Sequence, residues 1–257
     1  MALGPVSEQF LREVEAVTDL PVQVEMDDRL QSPLLARIQV ARGGVPVHRV
    51  SYHPNAGSMA DYLIAFQCSF VLRLHAVPVS ERFDLTDTDS AVADSLEWSR
   101  NHPASASLSA ERQKGFAEFL RTSMMSMLRS IPVGLRIDLD LRARYPELRV
   151  PQEQAIRRQI ETHASLLRPD IQQSIPGIPL RLNLAMNAAF AKVWSRELGQ
   201  GGWTLPYLAA GGLSQGETLL KRSEALTASP ENDRRLIQAW ADELGLGAWI
   251  RWKPYAQ

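Results

Sequence analysis

Ser58-Met-Ala-Asp-Tyr-Leu-Ile-Ala-Phe-Gln-Cys-Ser-Phe-Val-Leu-Arg-Leu-His75 is the stretch on which the fold turns. Tyr62, Leu63, Ile64, Phe66, Phe70, Val71, Leu72 and Leu74 cover nearly the whole circumference of a helix, so the segment predicts a helix over 59–76 that is buried on most sides. Ser58-x-x-Asp61 marks its start, because the hydroxyl and the carboxylate can satisfy the exposed amides of a first turn. Asp61, Gln67, Arg73 and His75 interrupt the apolar run, and a bilayer crossing needs about 20 nearly unbroken apolar residues, so this is not a membrane span. A helix buried all round needs neighbours on every side, and the flanking sequence must supply them.

Upstream, Phe10, Leu11, Val14 and Val17 fall at helical spacing after Ser7, a residue suited to capping, and Pro21 supplies a stop. Segments 22–26, 35–41 and 45–52 are short and β-branched, and Gly43-Gly44 between the last two is a hairpin signal. Downstream, helices are expected at 109–130, 152–168, 184–198, 215–227 and 231–244. Two have readable starts, the capping box Ser214-Gln-Gly-Glu217 and the cap-plus-proline pair Ser229-Pro230. Leu135-Arg-Ile-Asp-Leu-Asp-Leu141 alternates strictly and reads as a half-exposed strand. The expected class is α+β: a small antiparallel sheet with a buried helix, followed by a mainly helical region. Asp84-Leu-Thr-Asp-Thr-Asp-Ser90 and Pro103-Ala-Ser-Ala-Ser-Leu-Ser109 read as loosely structured. They divide the chain into an N-terminal α+β unit over 1–77, a loop or linker over 78–108 and the helical region over 109–257.

The chain has 257 residues, 45% of them hydrophobic, enough for a sizeable core. Its 28 Lys+Arg and 29 Asp+Glu leave a net charge of -1, which excludes a dominant basic surface binding nucleic acid by counterion release alone. The single cysteine excludes an internal disulfide and the Cys-rich zinc modules. Met-Ala-Leu-Gly-Pro-Val-Ser-Glu lacks a basic region followed by an apolar one, so no secretory signal is expected and cytoplasm is the expected compartment. Acidic residues exceed basic ones 16 to 10 over 1–120, and the order reverses to 12 basic and 7 acidic over 121–200. Only Lys114, Lys192, Lys221 and Lys253 are lysines, so the positive charge is mostly guanidinium, which pairs bidentately with carboxylate or phosphate.

Gly212-Leu-Ser-Gln-Gly216 spells the nucleophile-elbow pattern, but the last histidine, His163, precedes it, whereas the elbow's base follows the serine in the chain. Ser214 is better read as a helix cap paired with Glu217. His48, His53, His75, His102 and His163 include no pair four apart on a helix, the arrangement that most simply offers zinc two ligands. A site from His53, Asp61, Cys68 and His75 is conceivable, with satisfied or surface histidines the simpler reading. Asp138 and Asp140 would share one face of the expected strand with Arg136 and Arg142, which neutralise them. Asp84, Asp87 and Asp89 lack the spacing of a calcium loop, and neither standard nucleotide-binding loop is present, so no cofactor is expected.

Tyr62-Leu-Ile-Ala-Phe-Gln-Cys-Ser-Phe-Val-Leu-Arg73 follows a small sheet, and this order of elements resembles the zincin-type metallopeptidases. Placing Phe66-Gln-Cys-Ser-Phe70 on that family's His-Glu-x-x-His puts phenylalanine at both ligand positions and Gln67 where the general base belongs. Phenylalanine cannot coordinate zinc, and glutamine cannot take a proton from a metal-bound water. Met186-Asn-Ala-Ala-Phe-Ala191 is faintly similar to the region of a third ligand. The resemblance covers under a third of the chain and implies a fold whose catalytic helix has become a plain core helix.

Arg142, Arg144, Arg149, Arg157 and Arg158 form the densest basic cluster, with Tyr145 among them and Glu147, Glu153 and Glu161 interleaved. Trp249-Ile-Arg-Trp252-Lys-Pro-Tyr255 carries an arginine between two tryptophans, residue types enriched in interface hot spots, and packing of this tail back onto the body is an equally ordinary reading. Trp194, Trp203 and Trp240 read as core or partly buried, and Met124, Met125 and Met127 as core filler that could alternatively line an adaptable groove. With each catalytic constellation lacking a member, the expectation is a noncatalytic interaction or regulatory protein in a cytoplasmic complex. Its candidate contacts are Arg142, Arg144, Arg149, Arg157, Arg158, Trp249 and Trp252, and its expected partner is another protein. The alternatives are a metal-dependent hydrolase with an unrecognised site and a nucleic-acid-associated factor using the arginine-rich surface.

Overall fold

Pro5, whose missing N–H costs nothing in a first turn, opens helix α1 (Pro5–Thr18) in a computed structural model that describes residues 3–30, 34–105 and 107–255. The chain divides into two compact units, one of Met1–Arg82, Arg136–Gln159 and Pro254–Gln257, the other of Phe83–Leu135 and Ile160–Lys253. The fold is α+β, mainly helical with two small sheets.

In the first unit, α1 buries Val6, Phe10 and Val14 against helix α2 (Ala60–His75). Gly4 is the N-cap of α1, and the expected cap, Ser7, lies buried in the first turn with its hydroxyl donating to the Gly4 carbonyl at 3.1 Å. The Gly4 amide donates to the Asp61 carboxylate at 3.0 Å, and Ser58 donates to Gln154 at 2.7 Å. The capping box expected at 58–61 is therefore replaced by tertiary bonds, and α2 starts after the 3-10 turn Pro54–Met59.

Strands β1 (Val22–Met26), β2 (Ala36–Gln39) and β3 (His48–Tyr52) form a sheet in the order β1-β3-β2. Gly43 (φ +58°) and Gly44 (φ +87°) make the expected turn into the antiparallel β2–β3 pair, closed by the Val45 amide on the Arg42 carbonyl at 3.1 Å. β1 lies parallel on the other edge of β3, so the sheet is mixed where an antiparallel one was expected. The hairpin occupies one edge of β3 and leaves β1 the other, a choice that strand composition does not encode. His48 is fully buried. Its Nδ1 accepts from the Ala41 amide at 3.1 Å, which puts the ring proton on Nε2, 3.1 Å from the Thr18 hydroxyl that ends α1.

α2 packs on this sheet, burying Tyr62, Ile64, Ala65, Cys68 and Val71, with Gln67 Nε2 donating to the Ala36 carbonyl at 3.3 Å. Helix α4 (Ala110–Arg144) gives its last residues to this unit, and α5 (Arg149–Ser165) its first, joined through Tyr145 and the turn Pro146–Leu148. The expected strand at 135–141 is thus helix. Every residue from 131 to 138 is buried, so this stretch has no solvent face, and the alternation reflects polar Arg136 and Asp138 packed inside.

The second unit begins with β4 (Phe83–Asp87) and α3 (Asp89–Asn101), which occupy much of the segment expected as linker. Thr88 caps α3 and bonds to the backbone at Ala248 and Trp249, so ordering there depends on residues about 160 positions away. Pro103–Ser105 is a 3-10 turn, and Ala106 of the Ser/Ala stretch lies outside the described residues. Short α6 (Pro169–Ser174) leads into α7 (Gly177–Glu197), whose buried Ala185, Ala188, Ala189 and Ala191 let α9 (Leu213–Glu224) approach closely. Short α8 (Leu205–Ala209) precedes α9, and α10 (Asp233–Glu243) follows it. The tail is β5 (Ile250–Pro254), paired with β4.

Candidate interaction surface

Arg149, Glu153 and Arg157 succeed one another at four-residue spacing along α5, with Val150, Gln154 and Arg158 in the adjoining row. Arg149 Nε donates to the Arg142 carbonyl at 3.1 Å, which ties the first row to the end of α4. Arg157 pairs with Glu153 at 3.3 Å and Arg144 with Asp140 at 3.1 Å, both across one helical turn. Arg158 donates to the Asn55 carbonyl at 3.2 Å, beside the Ser58–Gln154 bond. The five arginines thus lie on the last turn of α4 and the first three turns of α5. Arg144, Arg149 and Arg157 are exposed, Arg142 and Arg158 half-buried, and Val150, at 67% exposure, adds an apolar element among them. Tyr145 packs on Phe10, ring centroids 5.2 Å apart, and the Arg144 guanidinium lies over its ring at 5.4 Å. Burial raises its phenol above the ordinary value. Its ring is thus engaged inside the unit.

Trp249 and Trp252 belong to the second unit. Trp249 is 2% exposed, stacks on Trp98 at 4.7 Å and donates its indole N–H to Asp94 at 2.7 Å, so it is a core residue where a docking side chain was expected. Half-buried Trp252 donates to Gln238 at 2.8 Å beneath the Arg234 guanidinium. Trp194 and Trp240 are fully buried, Met124 and Met125 are buried, and Met127 sulfur accepts from Asn183 at 3.2 Å.

The four side chains conceivable as metal ligands have separate local partners or burial. His53 Nδ1 accepts from the Asn55 amide, Asp61 takes the Gly4 amide, and His75 Nδ1 faces Arg82 at 3.1 Å. Cys68 is fully buried, and burial pushes its thiol up to about 12. Among the described residues, no three His, Cys, Asp or Glu side chains gather closely enough to hold a metal ion. On α2, Phe66 and Phe70 pack edge to face at 5.2 Å, and Gln67 serves the sheet.

Asp138 and Asp140, expected on one strand face, point to different environments on α4. Asp140 is exposed, whereas Asp138 is 2% exposed and accepts from the Tyr62 hydroxyl at 2.6 Å. Gln152 Nε2 donates to the Asp138 backbone carbonyl at 2.8 Å. Sequence reasoning missed Tyr62 and Gln152 as partners of this acid, because no local pattern links residues 62, 138 and 152. The sequence around Asp138 alternates apolar residues with Arg136, Asp140 and Arg142, so nothing in it singled out this acid as buried.

In the second unit a depression lined by Arg222, Ala239, Asp242 and Glu243 has its main charges engaged, Arg222 pairing with Glu243 at 3.0 Å. No helix among the described residues is long and apolar enough to cross a membrane. Comparisons with known protein families, with curated proteins and with solved structures found nothing that matches the chain.

Proposed function

We propose that the protein is a noncatalytic interaction or regulatory protein of a cytoplasmic complex, docking an acidic segment of another protein on the arginine surface of α4 and α5. The observation that supports this is the ordered arginine row. Arg149 is anchored through Nε to a backbone carbonyl, and Arg157 stands two turns along the same face beside exposed Val150. Anchored guanidiniums lose less side-chain entropy on meeting a carboxylate, which is how preorganisation raises affinity. The engaged Tyr145 ring favours a protein partner over a nucleic acid, whose bases need a free aromatic face. The buried, protonated Cys68 thiol fits a scaffold role for the metallopeptidase-like helix.

The test measures fluorescence anisotropy of a labelled glutamate-rich peptide against the wild type and the R149E/R157E double variant. We expect the reversal to weaken binding by at least about tenfold, equivalent to ~1.4 kcal/mol. No binding to the wild type, or equal binding to both, overturns the reading. Tighter binding of a duplex oligonucleotide with a steep salt dependence replaces it with the nucleic-acid alternative.

A further inference from the structure

Tyr62, Asp138 and Gln152 come from three helices of the first unit and meet where all three are buried, at 3%, 2% and 0% exposure. Their hydrogen-bonding capacity can be compared atom by atom. Gln152 Nε2 is committed to the Asp138 backbone carbonyl, which fixes the amide's orientation and leaves Gln152 Oε1 buried without a hydrogen-bond partner. Tyr62 has one hydroxyl proton, and the Asp138 side chain takes it at 2.6 Å. If Asp138 is a carboxylate, a charge sits in the core with one hydroxyl donor, and Gln152 Oε1 stays buried and unsatisfied. Both conditions are costly. If Asp138 is the acid, its own O–H donates to Tyr62 Oη across the same contact. The phenol proton is then free to turn away from Asp138.

We propose that Asp138 is held as the neutral acid in the folded protein, so that Tyr62, Asp138 and Gln152 form a proton-gated latch joining α2, α4 and α5. The proton is taken from water on closing and returned to it on opening. Burial pushes the Asp138 carboxyl up to about 7 against the smaller opposing effect of the Tyr62 hydrogen bond, which places the gate near neutrality. Tyr62, on α2, is the titratable group facing it. Burial holds that phenol well above its ordinary range, so it keeps its proton. From α5 it is faced by Gln152, which does not titrate. Arg136 and Arg142 flank it on α4, and neither they nor any charged group of α1 or the sheet is among the causes of the displacement.

Infrared spectroscopy of the full chain tests this through the carbonyl stretch of un-ionised carboxylic acid. We expect the wild type to show that band at pH ~6, where exposed carboxylates have ionised, and to lose it as the pH is raised to ~8.5. D138N should lack it throughout. A wild type without the band at pH ~6, or a folded D138N that retains it, overturns the latch. Should D138N fail to fold, hydrogen exchange of the wild type decides. Amides of 149–159 should exchange at least about tenfold faster at pH ~8.5 than at pH ~6 after correction for the chemical rate, and no excess acceleration overturns the proposal.

Discussion

Half-buried His163 and fully buried Asp138 are titratable side chains whose protonation pulls stability in opposite directions. Burial pushes His163 down to about 4, with its Nδ1 buried without a hydrogen-bond partner and its ring against Phe190. The unfolded chain titrates near 6.5 and binds more protons than the folded one between these values. The His163 contribution is therefore present above 6.5 and lost as the pH falls through about 4, on the order of 3 kcal/mol at ~1.4 kcal/mol per pH unit. Asp138, raised from 3.8 to about 7, binds its proton more tightly when folded. Its contribution is full below 3.8 and lost as the pH rises through about 7, on the order of 4 kcal/mol. Urea unfolding across pH ~4 to ~8 should show H163F losing stability relative to the wild type as pH rises, and D138N gaining it. Tilts in the same direction for the two variants would contradict these assignments.

At the scale of elements, Gly212 and Gly216, which spell the nucleophile-elbow pattern, are packing residues. A Cβ at Gly216 would lie 2.8 Å from the Ala189 amide nitrogen and 2.9 Å from the Ala185 carbonyl oxygen, and one at Gly212 would lie 2.9 Å from the Leu184 Cβ. Glycine to alanine inside a helix ordinarily gains about 1 kcal/mol. At Gly216 the opposing atoms are backbone and cannot rotate away, so overpacking wins and G216A should be destabilised by roughly 1–3 kcal/mol in urea titrations. A stabilised G216A would mean that α7 and α9 are not in this contact. The capping boxes fared alike: Ser214 lies inside α9 and is exposed, and Glu217 bonds to Lys192 at 2.9 Å. Cap-forming side chains at 7, 58, 61 and 217 were legible as polar groups near helix starts. Their actual partners were not, since a long-range partner can outcompete a local amide.

At the scale of the molecule, the first unit is discontinuous in sequence. Its N-terminal elements share their interior with Arg136–Gln159, including Asp138 and the buried Leu141, Leu148 and Ile156. A fragment of residues 1–82 would leave one side of α2 open to water and the Tyr62 hydroxyl without its acceptor. We expect that fragment to show no cooperative thermal transition by circular dichroism, while the full chain unfolds cooperatively. A sharp transition in the fragment would show that the N-terminal α+β elements suffice for a core of their own.

The sequence by itself determined the α+β class, the buried helix at α2, the Gly43-Gly44 hairpin and the approximate positions of the long helices. Those features follow from backbone propensity and periodic burial, which act over one or two turns. Tertiary structure alone decided the position of β1 beside β3, the helical state of 135–141, the burial of Trp249 and the company of Asp138. Each depends on which distant group excludes water or donates a proton at that point, and separation along the chain carries no record of it.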